Sequence, residues 1–301
     1  MFYQVDAFTD TPFFGNPTAI MIEDPSNPFS TKLKEFIARE MNLPISVFIT
    51  ASKIADYKFE YFTPKKQVSI SGHGTIAAVW LLAELGKIKP KESISDIKIE
   101  TNIGLFPCEI LWNEKTIDKV YMTQKKPEFR EIDLSKNKLA DVLGIREDKI
   151  ESNEKLPFIV ADTGSPKILA LLSSKEMTDA LVPKFDDIER LCLKYKVEGI
   201  HLYTFDTYFE GSKCYTRHFE PLRGAPETAI SGMANGALGA FLVSREFAPP
   251  GLLIFEQGES LDRISKLEVI IEADDTGITS VKIGGKAHIV FKFNLDDRIP
   301  I

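Results

Sequence analysis

The feature that most constrains the fold is an internal echo. Phe62-Thr63-Pro64 leads to Ile70-Ser71-Gly72-His73-Gly74-Thr75 and then into an apolar run from Ile76 to Leu85. Phe219-Glu220-Pro221 leads in the same way to Ile230-Ser231-Gly232-Met233-Ala234-Asn235 and a second apolar run from Gly236 to Val243. The two Ile-Ser-Gly sites lie 160 positions apart, about half of the 301-residue chain, which is the spacing a duplicated architecture produces. Each run is apolar nearly all round, with Glu84 the only charge in the first, and such a helix is stable only when buried on every side. Small residues at Ala77, Ala78, Gly236, Ala237, Gly239 and Ala240 let a surrounding sheet approach closely. The expected fold is therefore α/β (α+β): two pseudo-equivalent lobes, each a curved mixed sheet or open barrel around a central buried helix.

The rest of the chain supplies the strands such lobes need. Phe2 to Phe8, Ala19 to Ile22, Val47 to Thr50, Tyr57 to Phe62, Ile97 to Thr101, Phe106 to Trp112 and Lys119 to Thr123 are strand-like, and Leu33, Phe36, Ile37 and Met41 recur at helical spacing after Ser30-Thr31. A charged stretch from Gln124 to Glu154, holding a helix over Asp133 to Leu143, places a boundary there. The lobes are expected at 1–125 and 126–301, with the last strand free to return to the first lobe. In the second, Phe158 to Ala161, Ile168 to Leu172, Ile200 to Phe205 and Lys213 to Phe219 are strand-like, and Phe185 to Tyr195 is helical. Leu267 to Glu272 and Thr279 to Ile283, followed through Gly284-Gly285 by Ala287 to Phe293, suggest a closing hairpin.

Charge and cysteine content narrow the function. With 37 basic and 44 acidic residues the net charge is −7, so there is no electrostatic footprint for nucleic acid or an anionic membrane surface. Three cysteines without a CxxC suggest neither a disulfide framework nor a zinc site. No apolar run approaches the roughly 20 residues of a spanning helix, and the first residues carry no signal-peptide pattern. A cytoplasmic protein acting on small molecules is the expectation.

A helix start preceded by Ser-Gly offers unpaired backbone N–H groups and the positive end of the helix dipole to an anion. The same sequence is ordinary capping material, so each start alone is open to either reading. The repetition favours a pair of helix starts facing one interlobe cleft and gripping a small carboxylate. His73, flanked by Gly72 and Gly74, brings to that point the side chain whose ordinary pKa lies closest to neutral pH. The plain alternative is a local hydrogen bond at the cap. His201 and His288 lie in strand patterns and read as structural, and His218 near Cys214 lacks further ligands for a metal.

Val5 to Pro17, Phe62-Thr63-Pro64, Gly72-His73-Gly74-Thr75 and Gly232 to Ala237 carry a family resemblance, with Gln257-Gly258-Glu259-Ser260-Leu261 and Val281 to Ala287. Together they resemble the phenazine biosynthesis PhzF-like isomerases, whose fold is like that of diaminopimelate epimerase. The resemblance implies two similar lobes, a homodimer, and proton transfer without metal or organic cofactor. The best-studied members isomerise a dihydro-hydroxyanthranilate. It further implies a catalytic Glu after an Asn-Leu-Ser stretch, the His of Gly-His-Ala, and an Asp in Glu-Asp-Pro-x-Thr-Gly-Ser. Only the histidine matches here, as His73; Ile45 falls at the Glu, Thr228 at the Asp and Met233 at the Ser. Neither isoleucine nor threonine can replace a carboxylate base, so Glu227, one position from the missing Asp, is the remaining candidate if the loop shifts, and a solvated loop carboxylate is its plain and more favoured alternative. The expected catalytic residues are thus His73 and Glu227. The expected substrate-binding residues are Asn16, Gly72, Gly74, Thr75, Thr228, Ser231, Gly232, Met233 and Ala234. A catalytically inactive homologue that binds a small anionic metabolite is the alternative. Epimerases of this fold use two cysteines at the helix mouths, and Cys108, Cys192 and Cys214 lie far from both in sequence.

Overall fold

The computed structural model describes residues 1–224 and 226–296. Its chain forms two compact units, Met1–Thr123 joined by the described residues from Gly284 on, and Gln124–Ile283. The charged stretch in the sequence places the expected division at 125/126.

In the first unit the strands pair side by side, some through short turns and others across helix-bearing connections. In pairing order the strands are Ala287–Phe293, Phe2–Ala7, Asn16–Ile22, Ile45–Thr50, Tyr57–Phe62, Ile94–Thr101, Gly104–Asn113 and Thr116–Thr123. Two of these contacts are parallel, Asn16–Ile22 with Ile45–Thr50 and Tyr57–Phe62 with Ile94–Thr101, and the others are antiparallel. The helix Gly72–Glu84 packs against Ala287–Phe293 at one end of this order and Thr116–Thr123 at the other, so the sheet curls around it. Eleven of its 13 residues are buried, as an all-apolar surface demands. A second helix, Thr31–Met41, is capped by Ser30 and covers the outer face through Ile37 and Ala38, which pack with Phe2, Phe48 and Phe62.

The second unit repeats this plan. Its order is Glu128–Glu131, Ile159–Asp162, Lys167–Leu172, Gly199–Thr204, Cys214–Phe219, Gly251–Gln257 and Ser265–Asp274. The helix Gly232–Ser244 touches Ile159–Asp162 and Ser265–Asp274, again near both ends of the order. Eleven of its 13 residues are buried. Outside the sheet lie Lys136–Leu143 and Phe185–Tyr195, whose Leu139, Leu143, Ile188 and Leu191 share a core with Ile168, Ile200 and Leu202. The α+β class and the helix-in-sheet plan expected from the echo are present in each unit.

Ala287–Phe293 lies antiparallel to Phe2–Ala7 at the other end of the chain, within the first unit. Gly251–Gln257 is a strand that the alternation rule passes over, because its residues form a continuous apolar run after Pro249-Pro250. No helix among the described residues is long and apolar enough to cross a membrane.

Candidate functional site

The start of the first central helix is built around Ser71, which sits in extended backbone and accepts the Gly74 N–H on its Oγ at 3.2 Å. Its carbonyl accepts both the Thr75 N–H at 3.0 Å and the Thr75 hydroxyl at 2.7 Å, and that hydroxyl lies 2.7 Å from Tyr61 Oη. Thr75 is therefore tied into the helix start. His73, second residue of the helix, is half-buried, with Nδ1 3.4 Å from Ser71 Oγ. Its neighbours Gly72 and Gly74 are fully covered.

Gly74 is closely packed. A Cβ there would lie 3.1 Å from a Val47 methyl and 3.2 Å from a methyl of Ile45, which places Ile45 directly against the helix start. Ile45 is 1% exposed and stands level with Thr18 on the adjacent strand, whose first residue is the buried Asn16. Asn16, Ile45 and Gly72 to Thr75 thus belong to one end of the first unit. The place where the resemblance implies a carboxylate is filled by a methyl contact.

The second helix start is held from several sides. Ser231 Oγ accepts the Ala234 N–H at 3.4 Å, and Gln257 Oε1 accepts from Ser231 N at 3.2 Å, Asn235 Nδ2 at 3.1 Å and Thr216 Oγ1 at 3.2 Å. The same amide donates from Nε2 to the Thr228 carbonyl at 2.8 Å, so one glutamine fixes the approach to the helix and its first turn together. Gln124 Nε2 adds a bond to the Gly232 carbonyl at 3.2 Å and lies 3.4 Å from Met233 Sδ. Below the cap, Asn235 Oδ1 meets His201 Nε2 at 3.2 Å, and burial first of all pushes that buried imidazole well below its ordinary range.

Glu227 is not a loose loop carboxylate. Arg217 grips it in bidentate fashion, Nε to Oε1 at 2.7 Å and Nη2 to Oε2 at 2.9 Å, and Ser260 Oγ donates to Oε1 at 2.8 Å. Arg217 is itself fixed by the Thr178 carbonyl at 2.8 Å. Thr228 differs: it is 3% exposed, and its hydroxyl is buried with no hydrogen-bond partner among the described residues. Such an orphan costs about 1–3 kcal/mol. Thr228→Val should accordingly raise unfolding stability by roughly 1 kcal/mol in the absence of ligand; urea denaturation reads it, and a fall in stability would mean that the hydroxyl is satisfied in solution.

The cysteines take no part. Cys108, Cys192 and Cys214 are buried free thiols, and burial pushes Cys192 up to about 12 and the other two higher. Sequence reasoning missed Arg217, Gln124 and the hub role of Gln257. Gln257 and Glu259 were visible as a motif without an assigned task, whereas nothing in a strand sequence marks Arg217 as the partner of Glu227.

A duplicated α+β chain with a buried, serine-capped helix in each half has the build of the PhzF-like isomerases and epimerases. The sequence matches the PhzC-PhzF family, described as phenazine biosynthesis-like protein, over residues 5–292, and the chain belongs to that family. It is 31% identical to an uncharacterized isomerase of Clostridium acetobutylicum over 301 aligned positions, 97% of each chain. It is 29% identical to the uncharacterized isomerase YfhB of Bacillus subtilis over 273 positions, 90% of each. Among solved structures, a PhzF-family phenazine biosynthesis protein of Bacillus anthracis superposes with a TM-score of 0.86 at 25% identity over 97% of each chain. A hydroxyproline epimerase of Agrobacterium vitis, solved with bound trans-4-hydroxy-L-proline, shares the fold. Its TM-score is 0.62 at 15% identity, over 96% of this chain and 88% of that one.

Proposed function

We propose that this chain is a proton-transfer isomerase acting on a small carboxylate, with His73 as the acid or base. The observation that carries the reading is the repeated serine-capped start of two buried helices, one with an imidazole in its first turn. First-turn N–H groups such as those of Gly72 and Gly232 precede the helical hydrogen-bond ladder and favour negative charge. A carboxylate held there also stabilises the enolate-like charge that develops when a neighbouring carbon loses its proton. The orphan hydroxyl of Thr228 is a further donor for the same ligand. Glu227, held by Arg217 and Ser260, serves as the second proton-handling group. A cytoplasmic homodimer completes the reading, and sedimentation of the purified chain tests the dimer.

One observation favours a second reading. Ile45 and Thr228 stand where the family resemblance implies two carboxylates, and a chain without them keeps anion binding while losing the shuttle. The two readings separate in one experiment. The protein is incubated with a metabolite extract in heavy water, and bound compounds are recovered and analysed by mass spectrometry. Deuterium entering a bound carboxylate at a carbon position supports the isomerase; retention of an undeuterated acid supports the binder; retention of cations or neutral compounds alone defeats both.

A further inference from the structure

Beside the Glu227 loop, the segment Gly258–Ile264 links the strands Gly251–Gln257 and Ser265–Asp274 and carries Glu259. Both carboxyl oxygens of Glu259 are buried, and neither has a hydrogen-bond partner among the described residues. Its charged surroundings are unfriendly to an anion. Asp179, at the end of the short helix Lys175–Asp179, and Glu256, on the preceding strand, face it, against one cation, Lys266, on the following strand. Lys266 is itself placed over the Phe209 ring, 3.8 Å from its centre. Tyr208 and Tyr215, also within its field, both direct their hydroxyls to Asp179. Burial first, and then Glu256 and Asp179, push the Glu259 carboxyl up to about 7, against the weaker opposing pull of its own backbone N–H and of Lys266.

The segment is clipped to the candidate site at two points. Ser260 Oγ holds Glu227 Oε1 at 2.8 Å. Gly258, at φ +105°, has no room for a side chain, because a Cβ would lie 2.2 Å from the Arg263 carbonyl oxygen and 2.9 Å from that of Ala229. The turn is therefore closed on itself and pressed against the residues that follow Glu227.

We propose that Gly258–Ile264 is a proton-operated latch on the Glu227 loop. With Glu259 protonated the segment stays down and Ser260 keeps one Glu227 oxygen engaged. When Glu259 gives its proton to solvent, the buried anion leaves for water, the segment lifts, and that oxygen loses its Ser260 donor and keeps Arg217 alone. The latch stands whether the chain turns over a substrate or only binds one.

Hydrogen exchange of the full chain, corrected for intrinsic rates, tests it. A carboxyl that titrates at about 7 when closed and at its ordinary 4.5 when open makes the opening constant of peptides over 258–264 rise about 70-fold between pH 5 and pH 8. Glu259→Gln should stay closed and flat across this range. Ser260→Ala should keep the rise in 258–264 but remove it from peptides over 226–231. A flat profile in the unaltered protein, or the same rise in Glu259→Gln, overturns the latch. As a check independent of any variant, carbon-13 titration should place one glutamate carboxyl near neutrality; all glutamates titrating near 4.5 would also overturn it.

Discussion

Replacing Glu220 with glutamine is expected to cost the fold about 3–5 kcal/mol, the range for breaking a buried ion pair on one side. Glu220 is 6% exposed and lies 3.5 Å from the Nζ of the fully buried Lys167, 3.4 Å from Arg223 and 3.3 Å from His218 Nε2. Burial on its own would raise this carboxyl, but Arg223, Lys167 and His218 together hold it well below the usual carboxylate range. Glutamine fills the same space and leaves two buried cations facing Glu198, which is 45% exposed and weakly effective. The pH dependence has a definite sign. A depressed carboxyl stabilises the fold above about 4.5 and stops doing so as the pH falls through its folded value. Urea midpoints of the unaltered protein and Glu220→Gln should therefore converge in acid and differ most near neutrality. An equal gap at pH 3 and pH 7 would contradict this assignment.

The two histidines beside Glu220 add a second acid-sensitive contribution. His201 and His218 are pushed down chiefly by burial, the pull of Glu220 on His218 being the smaller effect. Their neutral forms suit the fold fully above about 6.5, and stability drains away as the pH falls below that value, by up to about 1.4 kcal/mol per pH unit for each. Glu259 acts in the opposite direction between 4.5 and about 7, because its folded form holds the proton more tightly. The histidine slope is best measured in Glu259→Gln, where that opposing contribution is gone.

Much of this architecture was legible because the buried helices are short of polar residues. An all-apolar run allows one solution, enclosure, and a serine before it fixes where the helix begins; Ser71 and Ser231 cap as their positions imply. The Phe-x-Pro echo was also real as pattern, but not as chemistry. Thr63 folds its hydroxyl into a local turn with Lys66, whereas Glu220 anchors Lys167 from 53 positions away and Arg223 from three. Sequence periodicity carries no information about such long-range partners. The same limit hid Arg217, whose place in an entirely buried strand became intelligible only with Glu227 opposite it. That the last strand could return to the first lobe was open in the sequence, but its pairing with Phe2–Ala7 in particular was not legible, since any exposed strand edge offers the same row of backbone donors and acceptors.

Turnover of the dihydro-hydroxyanthranilate typical of the family is expected to be slight, because both carboxylates that the resemblance implies are absent, as Ile45 and Thr228. Loss of a positioned base costs about 10²–10⁴-fold in rate. Anion binding by helix starts lowers ground state and transition state alike and does not replace it. Ile45→Glu and Thr228→Asp should together raise the rate by a factor within that range, and His73→Ala added to the pair should remove the gain. The Ile45 change introduces a carboxylate where methyl contacts now press on Gly74, so the variant should be less stable, and the rate must be taken at a temperature where it remains folded. Thr228→Asp meets less resistance, since it replaces a buried hydroxyl that has no partner to lose. If the unaltered chain already turns the compound over like relatives with both carboxylates, the proton is carried by another group. Glu227 is then the first to test, by Glu227→Gln with Arg217 intact. A loss of rate with unchanged binding would assign it the role, and an unchanged rate would exclude it.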